Sequence, residues 1–175
     1  MASRYLAAAL AAALGLCAWP ALAAAHGMAG KRFFPTTLTI DDPFVADELS
    51  LPTVLHIREP GGQVTSIAGD FSKRIFPDLG LTLAGDWNLL DPAANGKTES
   101  GFGNLEMTLK YQAFTSAAHE TIISVAFGWA AGGTGQPKIG AESFDVFKPA
   151  ILFGKGFGDL SEPLAWLRPL AVTGV

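Results

Sequence analysis

Polar and ionisable side chains recur at every second position along two stretches of the chain, and a single lysine, Lys148, has the corresponding position in a third. This spacing places side chains on one face of a β-strand. Acidic and basic groups that line one interior can pair with each other, or can set the ion selectivity of a pore. Glu106 and Lys110 would stand roughly 13 Å apart on one strand, so each is expected to pair with a neighbouring strand, and structural pairing is favoured over solute binding. The candidate interior residues are Asp86, Asn88, Glu106, Thr108, Lys110, Gln112 and Lys148.

The histidines have no catalytic or metal-binding pattern around them. His26, if it becomes the first residue, could chelate copper through its imidazole and free amine, but no second ligand lies at a matching spacing. His56 and His119 have no ligand partner two or four residues away. A serine triad needs hydroxyl, imidazole and carboxylate to converge, whereas the hydroxyls near His119 share its own chain segment. We therefore expect no catalysis, no cofactor and no dedicated metal site.

Two other clusters receive structural interpretations. Gly154, Gly156 and Gly158 resemble part of a dinucleotide loop, but no strand followed by a helix is evident there. These glycines are instead expected to relieve crowding in a sheet. The acidic residues between positions 41 and 48 lack the spacing of a calcium loop and are expected to be solvated.

The elements that position these residues are predicted to be long strands. From Asn104 to Ala113 apolar and polar residues alternate without a break, which predicts a strand with one apolar and one polar face. Ten residues is a usual length for a tilted membrane strand and about twice that of a typical globular one. The same pattern recurs in other segments, and about seven strands are predicted with no amphipathic helix. These further segments are 81–89, 121–130 and 147–157, with weaker patterns at 51–58, 64–75 and 166–175.

The start of the chain predicts export across a membrane. Arg4 precedes an apolar run from Tyr5 to Trp19, and small residues follow, as in a secretory signal cleaved after Ala25. The sole cysteine, Cys17, falls inside this predicted signal of residues 1–25. The whole chain has 12 Lys and Arg against 16 Asp and Glu, and this acidic balance argues against a nucleic-acid partner.

The connections between the predicted strands alternate in length, with long loops at 91–103 and 131–143. Outer-membrane barrels have short periplasmic turns and longer outer loops. The pattern favours an all-β, antiparallel, up-and-down transmembrane β-barrel whose apolar stripes contact outer-membrane lipid. It predicts a periplasmic segment at 26–48 and a barrel domain at 49–175. The alternative is a soluble periplasmic β-barrel or sandwich that binds a ligand, with the same stripes facing its own core.

The chain from about residue 26 to residue 175 resembles bacterial outer-membrane β-barrel proteins similar to the transporters of the phenol-degradation meta-pathway type. The residues that carry this resemblance are 47–53 (DELSLPT), 101–106 (GFGNLE), 153–160 (FGKGFGDL) and 167–169 (LRP). The resemblance implies a barrel that passes or binds a small solute without catalysis, and a barrel longer than this chain. Seven strands do not form the even number of a single-chain bacterial barrel, and residues 171–175 lack the terminal aromatic residue that such barrels present to the barrel assembly machinery. We therefore expect an incomplete barrel; a barrel with a purely structural role remains a further alternative.

Overall fold

The computed structural model describes residues 27–35, 41–92 and 96–175. The predicted signal peptide and His26 lie outside these residues. The described chain is all-β and antiparallel, as the alternation predicted. Its strands are β1 (Met28–Ala29), β2 (Arg32–Phe33), β3 (Glu48–Leu49), β4 (Thr53–Glu59), β5 (Gly62–Phe76), β6 (Leu79–Pro92), β7 (Glu99–Phe102), β8 (Glu106–Ser116), β9 (Thr121–Ala130), β10 (Val146–Gly156) and β11 (Ala171–Gly174).

Nine of these strands form one sheet, and β1 and β2 form a separate hairpin. The sheet follows the order β11-β10-β9-β8-β6-β5-β3, while β4 also pairs with β5 and β7 also pairs with β6. Because β3 and β4 share one side of β5, and β7 and β8 share one side of β6, the nine strands occupy seven positions. The sheet curls into a half-barrel. About seven strands is the number that the sequence predicts.

Two differences from the predicted elements have local causes. The predicted loop at 91–103 contains β7, which pairs antiparallel with the end of β6. The backbone N–H of Gln136, in the loop after β9, donates a hydrogen bond to the carbonyl of Phe102 and so stabilises β7. The predicted strand at 166–175 is mostly wrong, since a 3₁₀ helix at Glu162–Leu167 precedes the short β11.

Pro149, which cannot donate to a ladder, nevertheless lies inside β10 opposite Phe127.

The two faces of the curled sheet differ in polarity. The register aligns Thr82, Thr108 and Gly128 across three strands, and this row lies on the concave face with small and polar neighbours. Large apolar side chains occupy the convex face and are exposed, among them Leu83, Leu109, Phe127, Phe147 and Ile151. The sheet is thus apolar on its outside and polar on its inside.

The described residues before β3, 27–35 and 41–47, are here called the N-terminal segment, and they pack against the concave face. The Phe34 and Phe44 rings stack at a centroid distance of 6.2 Å and are buried together with Ala29 and Ile122. The expectation that the acidic residues of this segment are solvated is wrong for Asp42, which is 9% exposed. Proline at position 43 and the adjoining aromatic residue give the segment an apolar surface, which explains why it packs inside rather than extending into solvent.

Among the described residues, no helix has the length and apolar character needed to cross a membrane.

Candidate functional site: the polar concave face

The predicted interior residues separate into two groups on the concave face. Four of them line a cavity of about 290 Å³ beneath the long loop that follows β9, together with Ile139 and Glu142 of that loop. Two others, Lys110 and Gln112, contact the N-terminal segment instead. Thr108 lies between the groups, opposite Thr82. The four residues at the 290 Å³ cavity are Asp86, Asn88, Glu106 and Lys148.

Glu106 and Lys148 form an ion pair across β9. The Lys148 ammonium lies 2.7 Å from Glu106 Oε1, and both side chains are about half exposed. Gly128 of β9 lies opposite Lys148, and because it has no side chain it leaves room for Lys148 to extend across β9 to Glu106. Glu106 therefore pairs with a charge on another strand, but that strand, β10, is the second one from β8 and not its direct neighbour as expected. Solvent screening makes such an exposed pair worth only about 0–1 kcal/mol.

Asp86 and Asn88 lie beside each other on the concave face of β6. The Asn88 amide donates a hydrogen bond to the Asp86 carboxylate. The backbone N–H of Gly103 donates to the Asp86 carbonyl at 3.0 Å. This hydrogen bond attaches the short connection between β7 and β8 to β6. These contacts fix the polar wall of the 290 Å³ cavity.

Lys110 is the most enclosed of the predicted residues, with 8% of its surface exposed. Its ammonium donates to Asp41 Oδ2 at 2.6 Å and to the Asp42 carbonyl at 2.8 Å. Its partner therefore comes from the N-terminal segment rather than from a neighbouring strand. A buried lysine needs such acceptors, because removing an ammonium from water without a partner is costly.

Gln112 lies where β8 departs from regular pairing with β9, between Tyr111 and Phe114. Its Oε1 accepts a hydrogen bond from the backbone N–H of Val45 at 3.4 Å, and its Nε2 donates to Thr115 Oγ1 at 2.8 Å. The side chain thus joins the N-terminal segment to the sheet.

Two residues that the sequence analysis did not single out hold the same segment. The Arg74 guanidinium donates to the Val45 carbonyl at 2.9 Å. Ser124, which is fully buried, donates from its hydroxyl to the Pro43 carbonyl. The period-two pattern places both on the polar face, but only the folded N-terminal segment shows what they bind.

The backbone N–H of Arg74 lowers the pKa of Asp47 by donating to its carboxylate at 2.7 Å. The Lys73 ammonium, 3.1 Å away, acts in the same direction. Asp47 therefore anchors the end of the N-terminal segment as a carboxylate.

A second cavity, of about 570 Å³, lies between the N-terminal segment and the concave face. Its walls combine the aromatic rings of Phe33 and Phe44 with hydroxyl groups of Ser72 and Thr82. Four carboxylates line it against the single ammonium of Lys110. The carboxylates are those of Asp41, Asp42, Glu48 and Asp70.

The glycines predicted to relieve crowding do so against the N-terminal segment and a loop. A Cβ on Gly154 would lie 2.9 Å from the Phe34 ring, and one on Gly158 would lie 2.6 Å from Glu120 Oε1. Glu120 pairs in turn with Arg32 at 3.3 Å. The glycine run therefore makes room for the ring and for this ion pair.

The remaining histidines make local contacts. His119 Nδ1 lies 2.8 Å from Asp159 Oδ2, a contact that lowers the pKa of Asp159, and Lys155 lowers it further. His56 Nδ1 lies 2.9 Å from Thr65 Oγ1. Within the described parts of the chain, no three His, Cys, Asp or Glu side chains are grouped to hold a metal ion.

Comparison with protein-family models, with curated proteins and with solved structures finds no match to this chain.

Proposed function

We propose that this chain forms the wall of an outer-membrane β-barrel that passes or binds a small solute. The observation that carries the proposal is the distribution of polarity over the curled sheet. Its convex face exposes large side chains such as Phe127 and Ile151, which are 50% and 63% exposed. Its concave face holds the polar residues that line the two cavities.

Lipid accounts for this arrangement better than water does. A soluble β-sandwich buries its apolar stripes between sheets and presents the polar faces to solvent, which is the reverse of what this sheet does. Soluble monomers rarely expose a contiguous apolar patch above a few hundred Å². A barrel wall instead needs an apolar exterior and tolerates a polar interior.

The interior supports a small, polar passage or binding site rather than a wide channel. The 290 Å³ cavity is walled by paired charges, and the 570 Å³ cavity is bounded by the N-terminal segment. The assignment of a small solute, which the family resemblance implies, rests on that resemblance alone. A barrel whose interior serves only to stabilise it is the second candidate, because Glu106 and Lys148 already satisfy each other.

Outer-membrane fractionation combined with heat-modifiability on a gel tests the proposal. We expect the protein to fractionate with outer membranes and to change its gel mobility on boiling, as folded barrels do. Recovery in the soluble periplasm with no mobility shift would overturn it and favour a soluble ligand-binding protein. Conductance of the inserted protein then separates a pore from a structural barrel.

A further inference from the structure

The wall formed by the sheet is thin at one level. Gly69 of β5 and Gly85 of β6 are direct partners across the ladder. A Cβ on Gly85 would meet no described atom within 4 Å, and one on Gly69 would lie 3.9 Å from the Ser50 carbonyl oxygen. Since Gly85 shares the outward face of β6 with Leu83, this pair leaves an open space on the convex face.

Two interruptions of strand pairing flank the glycine pair. The neighbour of β5 changes from β4 to β3 between Ala68 and Phe71. The neighbour of β6 changes from β8 to β7 between Ala84 and Trp87. Both changes fall at the level of the two glycines, so the regular ladder is broken on either side of them.

A groove of about 470 Å³ occupies this place, and most of its lining is apolar. Asp86 and Gly103 line it as well, and the same two residues line the 290 Å³ cavity of the concave face. The apolar groove and the polar interior therefore meet at Asp86. The volume lies within the range of roughly 300–1,000 Å³ that is typical of small-molecule sites. The large apolar residues of the groove are Pro52, Ile67, Trp87, Phe102 and Leu105.

Two carboxylates lie on the concave side of the same place. Asp86 is opposite Ala68 and Asp70 is opposite Ala84, so the aspartates stand diagonally across the glycine pair, with backbones roughly 7–8 Å apart. Among the residues that the structure describes, no cationic side chain lies within ion-pair distance of either carboxylate. A cationic group of a ligand at this point would be attracted by both.

We propose that the groove binds a small amphiphilic amine, with its apolar part between Trp87 and Leu105 and its ammonium group at Asp86. The inference rests on the proposed function, because only in a membrane wall does the groove open toward lipid, from which an amphiphile arrives. A lipid acyl chain would fill the apolar part but has no group for Asp86 to bind. A wholly polar solute would leave the apolar walls uncovered.

The test titrates the full chain, purified from outer membranes in detergent, with para-bromobenzylamine. Bromine quenches tryptophan fluorescence on contact, and Trp87 lines the groove. We expect saturable quenching in the parent protein and its loss in Trp87→Phe. The uncharged analogue, para-bromobenzyl alcohol, should bind about tenfold more weakly, because a hydrogen bond between two charged groups is stronger than one to a neutral donor.

Substitutions separate the apolar part of the site from the polar part. Gly85→Phe places a ring in the groove and should abolish the saturable quenching. Val125→Phe adds the same ring to the convex face at a position that is 42% exposed and does not line the groove, and it should bind the amine like the parent protein. Asp86→Asn should weaken binding of the amine about tenfold and leave binding of the alcohol unchanged. Heat-modifiable gel mobility of each variant verifies that it is folded.

Two results would overturn the amine site and leave the barrel intact. Equal affinity of the amine and the alcohol, unaltered by Asp86→Asn, would mean that the groove accepts acyl chains and other apolar molecules without regard to charge. Undiminished quenching in Gly85→Phe would show that the amine binds outside the groove. Absence of the parent chain from outer membranes would instead overturn the proposed function and the site together.

Discussion

At the scale of single residues, the packing of the N-terminal segment depends on positions that carry no side chain. Phe34 is 2% exposed and lies against Gly154 so closely that any Cβ there would contact its ring at 2.9 Å. Gly85 provides the contrast, because a Cβ at that position meets nothing within 4 Å. Substitutions at the two glycines therefore distinguish a need for space beside the Phe34 ring from a preference of the backbone for glycine.

We expect Gly154→Ala to destabilise the docked segment by about 1–3 kcal/mol, the usual cost of overpacking a filled site. Gly85→Ala, in the same sheet, should be neutral or slightly stabilising because alanine restricts the unfolded chain. Protease sensitivity of residues 27–47 in the folded protein measures the difference. Equal protection in the two variants would show that Phe34 does not pack as described.

The Asp47 carboxylate gives the segment a dependence on pH. Its pKa is lowered below the ordinary value of 3.8 by the backbone N–H of Arg74 and then by Lys73. A carboxylate with a depressed pKa in the folded state stabilises that state above its unfolded pKa and loses this contribution as pH falls through the folded value. Docking should therefore weaken only below about pH 3.8.

Asp47→Asn should lower the stability of docking at neutral pH by about 0.5 kcal/mol, since its partner Lys73 is exposed and screened. The variant should also lose the acid-dependent weakening of docking that we expect of the parent protein as the pH falls below about 3.8. Proteolysis of the segment across this pH range is the measurement. An unchanged acid profile in the variant would assign the weakening to another carboxylate.

At the scale of elements, the long strands follow from the sequence, whereas β7 and the position of residues 41–47 do not. Period-two alternation over ten or more residues predicts β6, β8 and β9, because only an extended chain places alternate residues on opposite faces. The stretch from Asp41 to Asp47 has no period, and its position depends on donors such as Lys110 and Ser124 that lie 69 and 81 residues away. The same reasoning placed Glu106, Lys110 and Lys148 on one face, but it identified neither Lys148 as the partner of Glu106 nor Asp41 as the partner of Lys110.

Adjacent positions on β6 test the orientation of the sheet. Leu83 lies on the convex face and is 39% exposed, while Thr82 lines the 570 Å³ cavity. We expect Leu83→Arg to cost about 2–4 kcal/mol in a bilayer and to reduce the amount of protein assembled in outer membranes. Thr82→Arg should be tolerated, because it places the same charge beside the carboxylate of Asp70. Comparable assembly of both variants would indicate that water, not lipid, covers the convex face.

At the scale of the whole molecule, the half-barrel formed by the described strands ends in two edges, β4 and β11. The sheet order places them at its opposite ends. Val54 and Val172, on the convex face of these edge strands, are 64% and 49% exposed. In a barrel that is completed by further strands, these two edges do not meet.

A double variant Val54→Cys with Val172→Cys, in a Cys17→Ala background, should therefore form no internal disulfide under oxidising conditions in outer membranes. A Val45→Cys with Gly80→Cys pair serves as the positive control for oxidation, because a Cβ on Gly80 would lie 3.7 Å from Val45 Cβ, a spacing that a disulfide can bridge. Non-reducing gels report both results. Efficient cross-linking of the edge pair would mean that β4 and β11 adjoin and that the sheet closes on itself.

The directions of the edge strands constrain what can complete the sheet. Because every neighbouring pair is antiparallel and the sheet has seven positions, β4 and β11 run the same way. A second copy related by rotation about the barrel axis keeps its strand directions, so each seam between copies would be parallel. A two-fold axis in the membrane plane would make both seams antiparallel, but it would turn one copy upside down and put its short turns at the opposite surface. In the proposed outer-membrane barrel, self-assembly would therefore meet a conflict between hydrogen-bond polarity and the sidedness of the membrane, whereas an odd number of further strands would join both edges with antiparallel pairs.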